Sequence, residues 1–426
     1  MYSVIILIIE ITICATLKLI GINPVSNLLV CIFILAFTVT YSVDLLNNQK
    51  LVMYREPLLW GYLFRVALLF FDRYGRSIYH LPNSGADSEV FYNHAVLELA
   101  GLMPKSSFWF IALFRNIFSV IGTNRLFAQF IVLLFSIVAL CTVSLTIDDI
   151  QIDADQKIRA VTIVSLLPNF AILSAIFLRE SIVTMFITVS FYLFMRYYHG
   201  KSFINIILCF ISVVIAMLFH SGSAGLIIGY VIVLFLNGRD SKEGSRKVLN
   251  IGLALLFSLI ATFLYIRYGD VFFQKLLNVD SITNIANTST AGGSSYARYV
   301  GNSNSIGSMI RYTGPRIIFF LFSPFPWQWR GVSDIIAFLF SGLYYLVIVF
   351  RAFHYIFTKC DKNRLDVIYI LLILTSAVFV FAWGVSNTGT AARHRDKMVC
   401  IFAVLHAICI NPDNIVHITI DDRTVI

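Results

Sequence analysis

The sequence predicts an all-α fold: a polytopic membrane helical bundle of about 12 transmembrane helices, with amphipathic helices on its outer face. Three observations predict it. Only 13% of the 426 residues are charged and 58% are hydrophobic, whereas a soluble domain carries about 25% charged residues. Mean hydropathy is +0.83. The apolar residues fall in long blocks rather than around one buried core, so the length counts spans and the chain reads as one integral membrane domain, 1–426.

The segments expected to cross lie near 3–22, 26–43, 57–71, 125–147, 159–178, 181–198, 203–220, 222–237, 249–268, 332–350, 366–384 and 397–412. The first is apolar from its second residue and has neither a basic leader nor a small-residue cleavage site, so it reads as a retained span. Short basic loops set the orientation. Arg239, Lys242, Arg246 and Lys247 crowd one loop, and Arg351, Lys359, Lys362 and Arg364 another. Arg196 and Lys201 flank a third turn. With all three inside, both termini fall in the cytoplasm, as in a multi-pass protein of a bacterial inner membrane. The acidic loop Asp148 to Asp155 then also lies inside, a mild misfit.

The opposite face receives the unusual polar material. Segment 72–124 is a long outer loop in which Glu89 to Met103 is expected to form an amphipathic helix, and Ser106 to Ile121 an apolar one interrupted by Arg115. Segment 269–331 is a second long outer loop. It holds a Ser/Thr/Asn/Gly-rich stretch at 281–308, a short helix from Arg311 to Phe322, and two prolines and two tryptophans suited to a re-entrant or interfacial turn.

Charge and cysteine content exclude two classes. The net charge of +9 is scattered through short loops and forms no basic stripe, which excludes nucleic acid as a partner. Six of the 7 cysteines lie in apolar blocks and Cys360 in a basic loop. None joins a metal-binding pattern, so no metal or other cofactor is expected.

Five constellations carry the chemical signal. Arg179, Arg298, Arg311, Arg316, Arg330, Arg393 and Arg395 all fall on or near the outer side, against the positive-inside bias. Arginine presents a planar fork that binds phosphate oxygens in pairs. Leu178-Arg179-Glu180-Ser181 interrupts two apolar blocks. His220 sits in Phe219-His220-Ser221-Gly222-Ser223, where one span ends and the next begins. It reads either as a structural helix-end residue or as a proton acceptor or ligand. In Gly85-Ala86-Asp87-Ser88-Glu89-Val90-Phe91-Tyr92, Asp87 reads either as a helix N-cap or, with Glu89, as a base for a sugar hydroxyl. Phe91 and Tyr92 would suit a sugar surface. Asn387-Thr388-Gly389-Thr390-Ala391-Ala392-Arg393-His394-Arg395 sets three basic side chains beside a small-residue turn, a plausible anion site.

In these motifs the chain resembles the bacterial Wzy-like polysaccharide polymerases, including the EpsG type. Gly85 to Tyr92 is similar to the family's outer-loop Gly/Asp/Tyr pattern, Leu178 to Ser181 to its middle Arg motif, and Phe219 to Ser223 to its His-x-Ser element. The long paired Arg-x-Gly repeats of some members are absent. The resemblance implies a membrane glycosyltransferase that joins oligosaccharide repeat units carried on undecaprenyl diphosphate, making O-antigen, capsule or exopolysaccharide. Its partners would be that lipid-linked oligosaccharide, the membrane lipids and a chain-length regulator protein. Asp87 or Glu89 would be the base, with His220 the rival. Arg179, Glu180, Tyr92, Arg298, Arg311, Arg316, Arg330, Arg393 and Arg395 would face the diphosphate or sugar. A lipid-linked oligosaccharide flippase and an O-antigen ligase are the alternatives. A flippase is expected to show internal repeats, and none is visible.

Overall fold

The computed structural model describes residues 1–22, 25–240, 244–272, 296, 306–385 and 387–409. Among them every regular element is helical and no strand occurs. Seven helices are long and apolar enough to cross a membrane, or eight if one bent pair is a single span. The membrane class of the fold is thus visible directly in its elements.

The chain begins with two antiparallel apolar helices, α1 (Tyr2–Leu19) and α2 (Asn27–Asn47). Their large apolar residues face outward, with Val4, Ile8, Leu28 and Leu35 exposed as a lipid-facing helix requires. Next come α3 (Arg55–Tyr74), α4 (Ala86–Leu99) and α5 (Trp109–Ile121). The expected crossing near 57–71 is α3, but Arg65 is buried inside it and charged residues lie at both ends, which keeps it out of the seven. The expected helix from Glu89 to Met103 starts earlier, at Ala86, and ends at Leu99. Asp87 therefore lies in the first turn of α4 and does not cap it; Gly85, in the left-handed region at φ 132°, does.

Helix α6 (Arg125–Asp148) is the axis of the bundle. At 24 residues it spans about 36 Å, more than the roughly 30 Å of a hydrocarbon core. Most of its side chains are buried, and it packs on α2, α3, α7, α8, α9 and α18. The expected crossing at 159–178 is broken. Helices α7 (Ala154–Leu166) and α8 (Pro168–Ala175) bend by 49° at Leu167. Pro168 supplies no N–H and sits where a new helix can start. The carbonyl freed at Ser165 is taken by Arg65, whose Nη1 donates to it at 2.6 Å and to Gly61 O at 2.9 Å. The Arg65 guanidinium also stacks on Phe170, 4.7 Å from the ring centre. A charge buried in α3 thus mends the break in its neighbour.

Helices α9 (Glu180–Tyr198), α10 (Ile204–Phe219), α11 (Gly225–Asp240) and α12 (Gly244–Phe272) follow as an up-and-down series. Then come α13 (Ile306–Phe322), α14 (Val332–Ala337), which runs on through a π-helical turn into α15 (Leu343–Thr358), and α16 (Asn363–Trp383). Helix α13 matches the expected short helix and extends it at its start. The short helix α17 (Thr388–Arg395) leads into α18 (Val399–Cys409). Helix α11 approaches α16 backbone to backbone. A Cβ added at Gly225 would lie 2.7 Å from Ala377 Cα, and one at Gly229 2.7 Å from Ile373 Cα. Small residues at such seams bring backbones close where no hydrophobic force acts between helices.

Polar contacts sort the helix ends into two layers. At one end the N-terminal amine meets Asp44 at 2.6 Å, Asn363 Nδ2 donates to Gln151 O at 3.3 Å and His199 meets Asp366 at 3.1 Å. At the other end Asn124 Nδ2 donates to Val25 O at 2.7 Å, Gln129 Nε2 donates to Asp72 at 2.7 Å, and α4, the start of α9 and α17 meet. Gly229→Val should lower the thermal midpoint in detergent by an amount equivalent to about 1–3 kcal/mol, from overpacking. Gly252→Ala, whose added Cβ meets nothing within 4 Å, should leave it unchanged. Equal effects from the two would exclude the glycine seam.

Candidate functional site

The second layer of helix ends gathers residues from four distant motifs. Each reaches it for a local reason. Glu180 opens α9, where a carboxylate faces the positive end of the helix dipole. It is 2% exposed. His220 is extended (φ −158°, ψ 107°) between α10 and the turn before α11, and its Nδ1 accepts from Gly222 N at 3.2 Å. Asn387 caps α17 by accepting from Gly389 N and Thr390 N. Arg393, His394 and Arg395 occupy the last turn of α17, where cations suit the helix end. Successive side chains point about 100° apart, so the three diverge.

Arg393 is the junction. Its Nη2 donates to Glu180 Oε1 at 2.9 Å, and its Nη1 pairs with Asp87 Oδ2. Burial works against its charge, but Glu180 first and then Asp87 more than offset that and hold its pKa above the ordinary value. Lys397 Nζ is fully buried, 3.7 Å from the same Glu180 oxygen. Arg179 Nη1 donates to Phe219 O at 3.2 Å, tying the start of α9 to the end of α10. His394 lies edge-on to His220, with their Nε2 atoms 3.2 Å apart. Burial, and then Lys397 and His220, push the His394 imidazole well below its ordinary range, so it is neutral at physiological pH.

The centre is cationic and incompletely satisfied. Arg179 Nε, Glu180 Oε2, Arg393 Nε, His394 Nδ1 and Lys397 Nζ are buried without a hydrogen-bond partner. Buried polar atoms of this kind normally find one. The gap among Ser174, Glu180, Ser181, Arg393 and Lys397 is too tight for a water molecule. Asp87 is the accessible member, with its side chain 56% exposed. The arrangement presents one carboxylate, Asp87, at the rim, with Glu180 and the basic side chains Arg179, Arg393 and Lys397 behind it. Such a set can bind an anion and take a proton from a hydroxyl beside it. Among the described residues no group of three or more His, Cys, Asp or Glu side chains gathers as a metal site.

A second layer lies beside it. Buried Asp72 accepts from Arg76 at 3.0 Å, from Gln129 at 2.7 Å and from Ser84. Glu89 Oε1 accepts from Arg76 at 2.5 Å and from Arg125 at 3.1 Å. Burial opposes the charge of Arg76, but Asp72 and Glu89 hold its pKa above normal. Glu89, read from the sequence as a possible base, therefore serves as the hinge of an ion-pair network joining α3, α4 and α6. Tyr92, read as a sugar contact, is packed edge-on against Phe118 and Phe177 and lies under Arg125, 4.8 Å from its ring centre.

The remaining arginines divide. Arg395 is fully buried and structural. Its Nε donates to Ser341 Oγ at 2.8 Å, and its Nη atoms to the carbonyls of Phe320, Ser323 and Ala337. Ser341, Tyr345 and Asn169 in turn donate to buried Asp396. This network pins α17 to the bundle and leaves Arg395 nothing to offer a substrate. Arg316 is fully buried over the Trp383 ring at 4.6 Å, with no hydrogen-bond partner for its three nitrogens. Arg311 is exposed beside Tyr312. Arg330 accompanies the turn into α14, its N–H donating to Asp334 at 2.9 Å. Arg298 lies outside the described residues. The centre thus unites Asp87, Arg179, Glu180, His220 and Arg393, and adds Lys397 and His394. Lys397 carried no motif signal, because a lysine at the start of an apolar run reads as a loop residue.

No protein-family model, curated protein or solved structure matches the chain. The site therefore rests on its own geometry. Asp396→Ala should lower stability by about 3–5 kcal/mol, because it removes the carboxylate that offsets the buried Arg395 charge and leaves Asn169, Ser341 and Tyr345 without their acceptor. Asp87→Asn, at the exposed rim, should cost no more than about 1 kcal/mol. Thermal unfolding in detergent separates the two, and equal losses would exclude the division into structural and functional charges.

Proposed function

We propose that the protein is a membrane glycosyltransferase of the Wzy-like kind, polymerising undecaprenyl-diphosphate-linked oligosaccharide units into a surface polysaccharide. The observation that carries this reading is the convergence, at one end of the bundle, of Asp87, Glu180, His220 and Arg393 from four separate sequence motifs. In this reading the seven long helices and the bent pair are joined by α3, α10, α12 and α18 to give about a dozen crossings. The N-terminus shares its layer with the basic turns, which by the positive-inside bias supports a reading with both termini cytoplasmic and the site facing outward from a bacterial inner membrane.

The reaction breaks the bond between the anomeric carbon of the growing glycan and its lipid diphosphate, and forms one to a hydroxyl oxygen of the incoming unit. The hydroxyl proton passes to Asp87, and the diphosphate departs as an anion onto Arg393 at the rim, with Arg179 behind it. A diphosphate competing for Arg393 releases Asp87 from its ion pair, so binding the leaving group frees the base. Arg316 is a second buried cation for the lipid-linked diphosphate. His220, held by its neutral partner His394, is the rival proton acceptor. A chain-length regulator protein is the protein partner this activity calls for.

A ligase would use the same chemistry with a different acceptor. A flippase fits less well, because its cations belong near mid-depth between repeats, and here they collect at the helix ends. Deleting the gene in its native host separates the three by gel analysis of the surface glycan. A single-repeat product supports polymerisation, free lipid-linked polymer supports ligation, and loss of all outer glycan supports flipping. Asp87→Ala and Arg179→Ala should each reduce polymer formation about 10²–10³-fold at normal expression. Polymer of normal length from either variant would remove that residue from the mechanism.

A further inference from the structure

A cavity of about 380 Å³ opens in the layer of helix ends opposite the candidate site. Its walls are the end of α6 with the loop that follows, the end of α9, and the start of α16. Helix α9 connects the two places. Glu180 opens it at the candidate site and Arg196 lies near its far end, which separates them by about 24 Å at 1.5 Å per residue.

Three permanent cations line the cavity: Arg196, Lys201 and Lys362. Two carboxylates, Asp149 and Asp366, face them, and His199 already engages Asp366 at 3.1 Å. Arg196 is positioned as a donor. Its Nη1 donates to the Tyr192 hydroxyl at 2.9 Å, and its Nε is buried without a partner. Lys201 and Lys362 are exposed at the rim, and neither has a carboxylate partner among the described residues. The positive end of α16 adds to the same field. A water occupies about 30 Å³ of liquid, so the space takes a phosphate group together with several waters.

From these residues we infer that the cavity is a binding site for a phosphate-bearing ligand, held by Arg196 from within and by Lys201 and Lys362 at the rim. The site is separate from the proposed glycosyl transfer and stands whether or not that reading holds. The phosphate belongs either to an anionic phospholipid headgroup entering from the membrane or to a small soluble phosphate. The shared chemistry is a tetrahedral anion read by one guanidinium fork and two ammonium groups.

The full-length protein in detergent tests this by thermal unfolding, titrated with dioctanoyl phosphatidylglycerol, dioctanoylglycerol or inorganic phosphate. Phosphatidylglycerol should raise the midpoint saturably, and dioctanoylglycerol should not. A rise with inorganic phosphate as well assigns a soluble phosphate; a rise with the lipid alone assigns the headgroup. Arg196→Gln should weaken half-saturation about tenfold or more. The double variant Lys201→Gln/Lys362→Gln should do the same, and its exposed positions leave folding intact. No rise with either phosphate-bearing probe, or the same half-saturation in wild type and the double variant, would overturn the inference.

Discussion

Arg393 holds the functional end of the molecule together. One guanidinium reaches Glu180 at the start of α9 and Asp87 in the first turn of α4. Without it, α4 would keep its Glu89 links to Arg76 and Arg125 but lose its tie to α9 and α17. Glu180 would keep a carboxylate at 2% exposure with Lys397, Arg179 and the end of its own helix left to balance it. A buried ion tolerates that position only when paired. The pairing of buried Glu180 and the placing of Asp87 beside it follow from this one bridge.

The bridge works because α17 is rigid. Arg395 and Asp396, two and three residues after Arg393, anchor it in a dense network reaching Asn169, Ser341, Tyr345 and three carbonyls. The protein thus uses two arginines of one helical turn differently. One is saturated by hydrogen bonds and fixes the backbone; the other bridges two carboxylates from separate helices. The same contrast runs through the rest of the chain. Arg65 mends a helix break, and Arg125 and Arg76 lock Glu89. Arg179 and Arg316 keep buried nitrogens without partners.

The two ends of the bundle differ in how they present charge. At the candidate site the cations are buried and the exposed group is a carboxylate. In the opposite cavity the exposed groups are lysines and the acids lie within. Helices α6, α9 and α16 run between these ends. Their common core is apolar and close-packed, so a ligand at one end changes the other only by moving a whole helix.

Much of this was legible in the residues themselves. Long apolar blocks with few charges dictate helices that cross a membrane, because a backbone in hydrocarbon must satisfy its own hydrogen bonds. The motifs at Asp87, Arg179, His220 and Arg393 stood out because polar residues interrupt apolar runs only at a cost. Their meeting at one end follows from counting crossings. Folding decided what counting could not. It buried Arg395 in a hydrogen-bond network and set Arg393 between two carboxylates, although they stand two residues apart on similar sequence, because a helix turns them about 160° from one another. It fastened Glu89 and Tyr92 into packing while leaving Asp87 at the rim, and it broke one expected span at Pro168. It also recruited Lys397, which no motif marked. Which charge is used up and which remains available depends on neighbours far away in the chain, and only the packed structure supplies them.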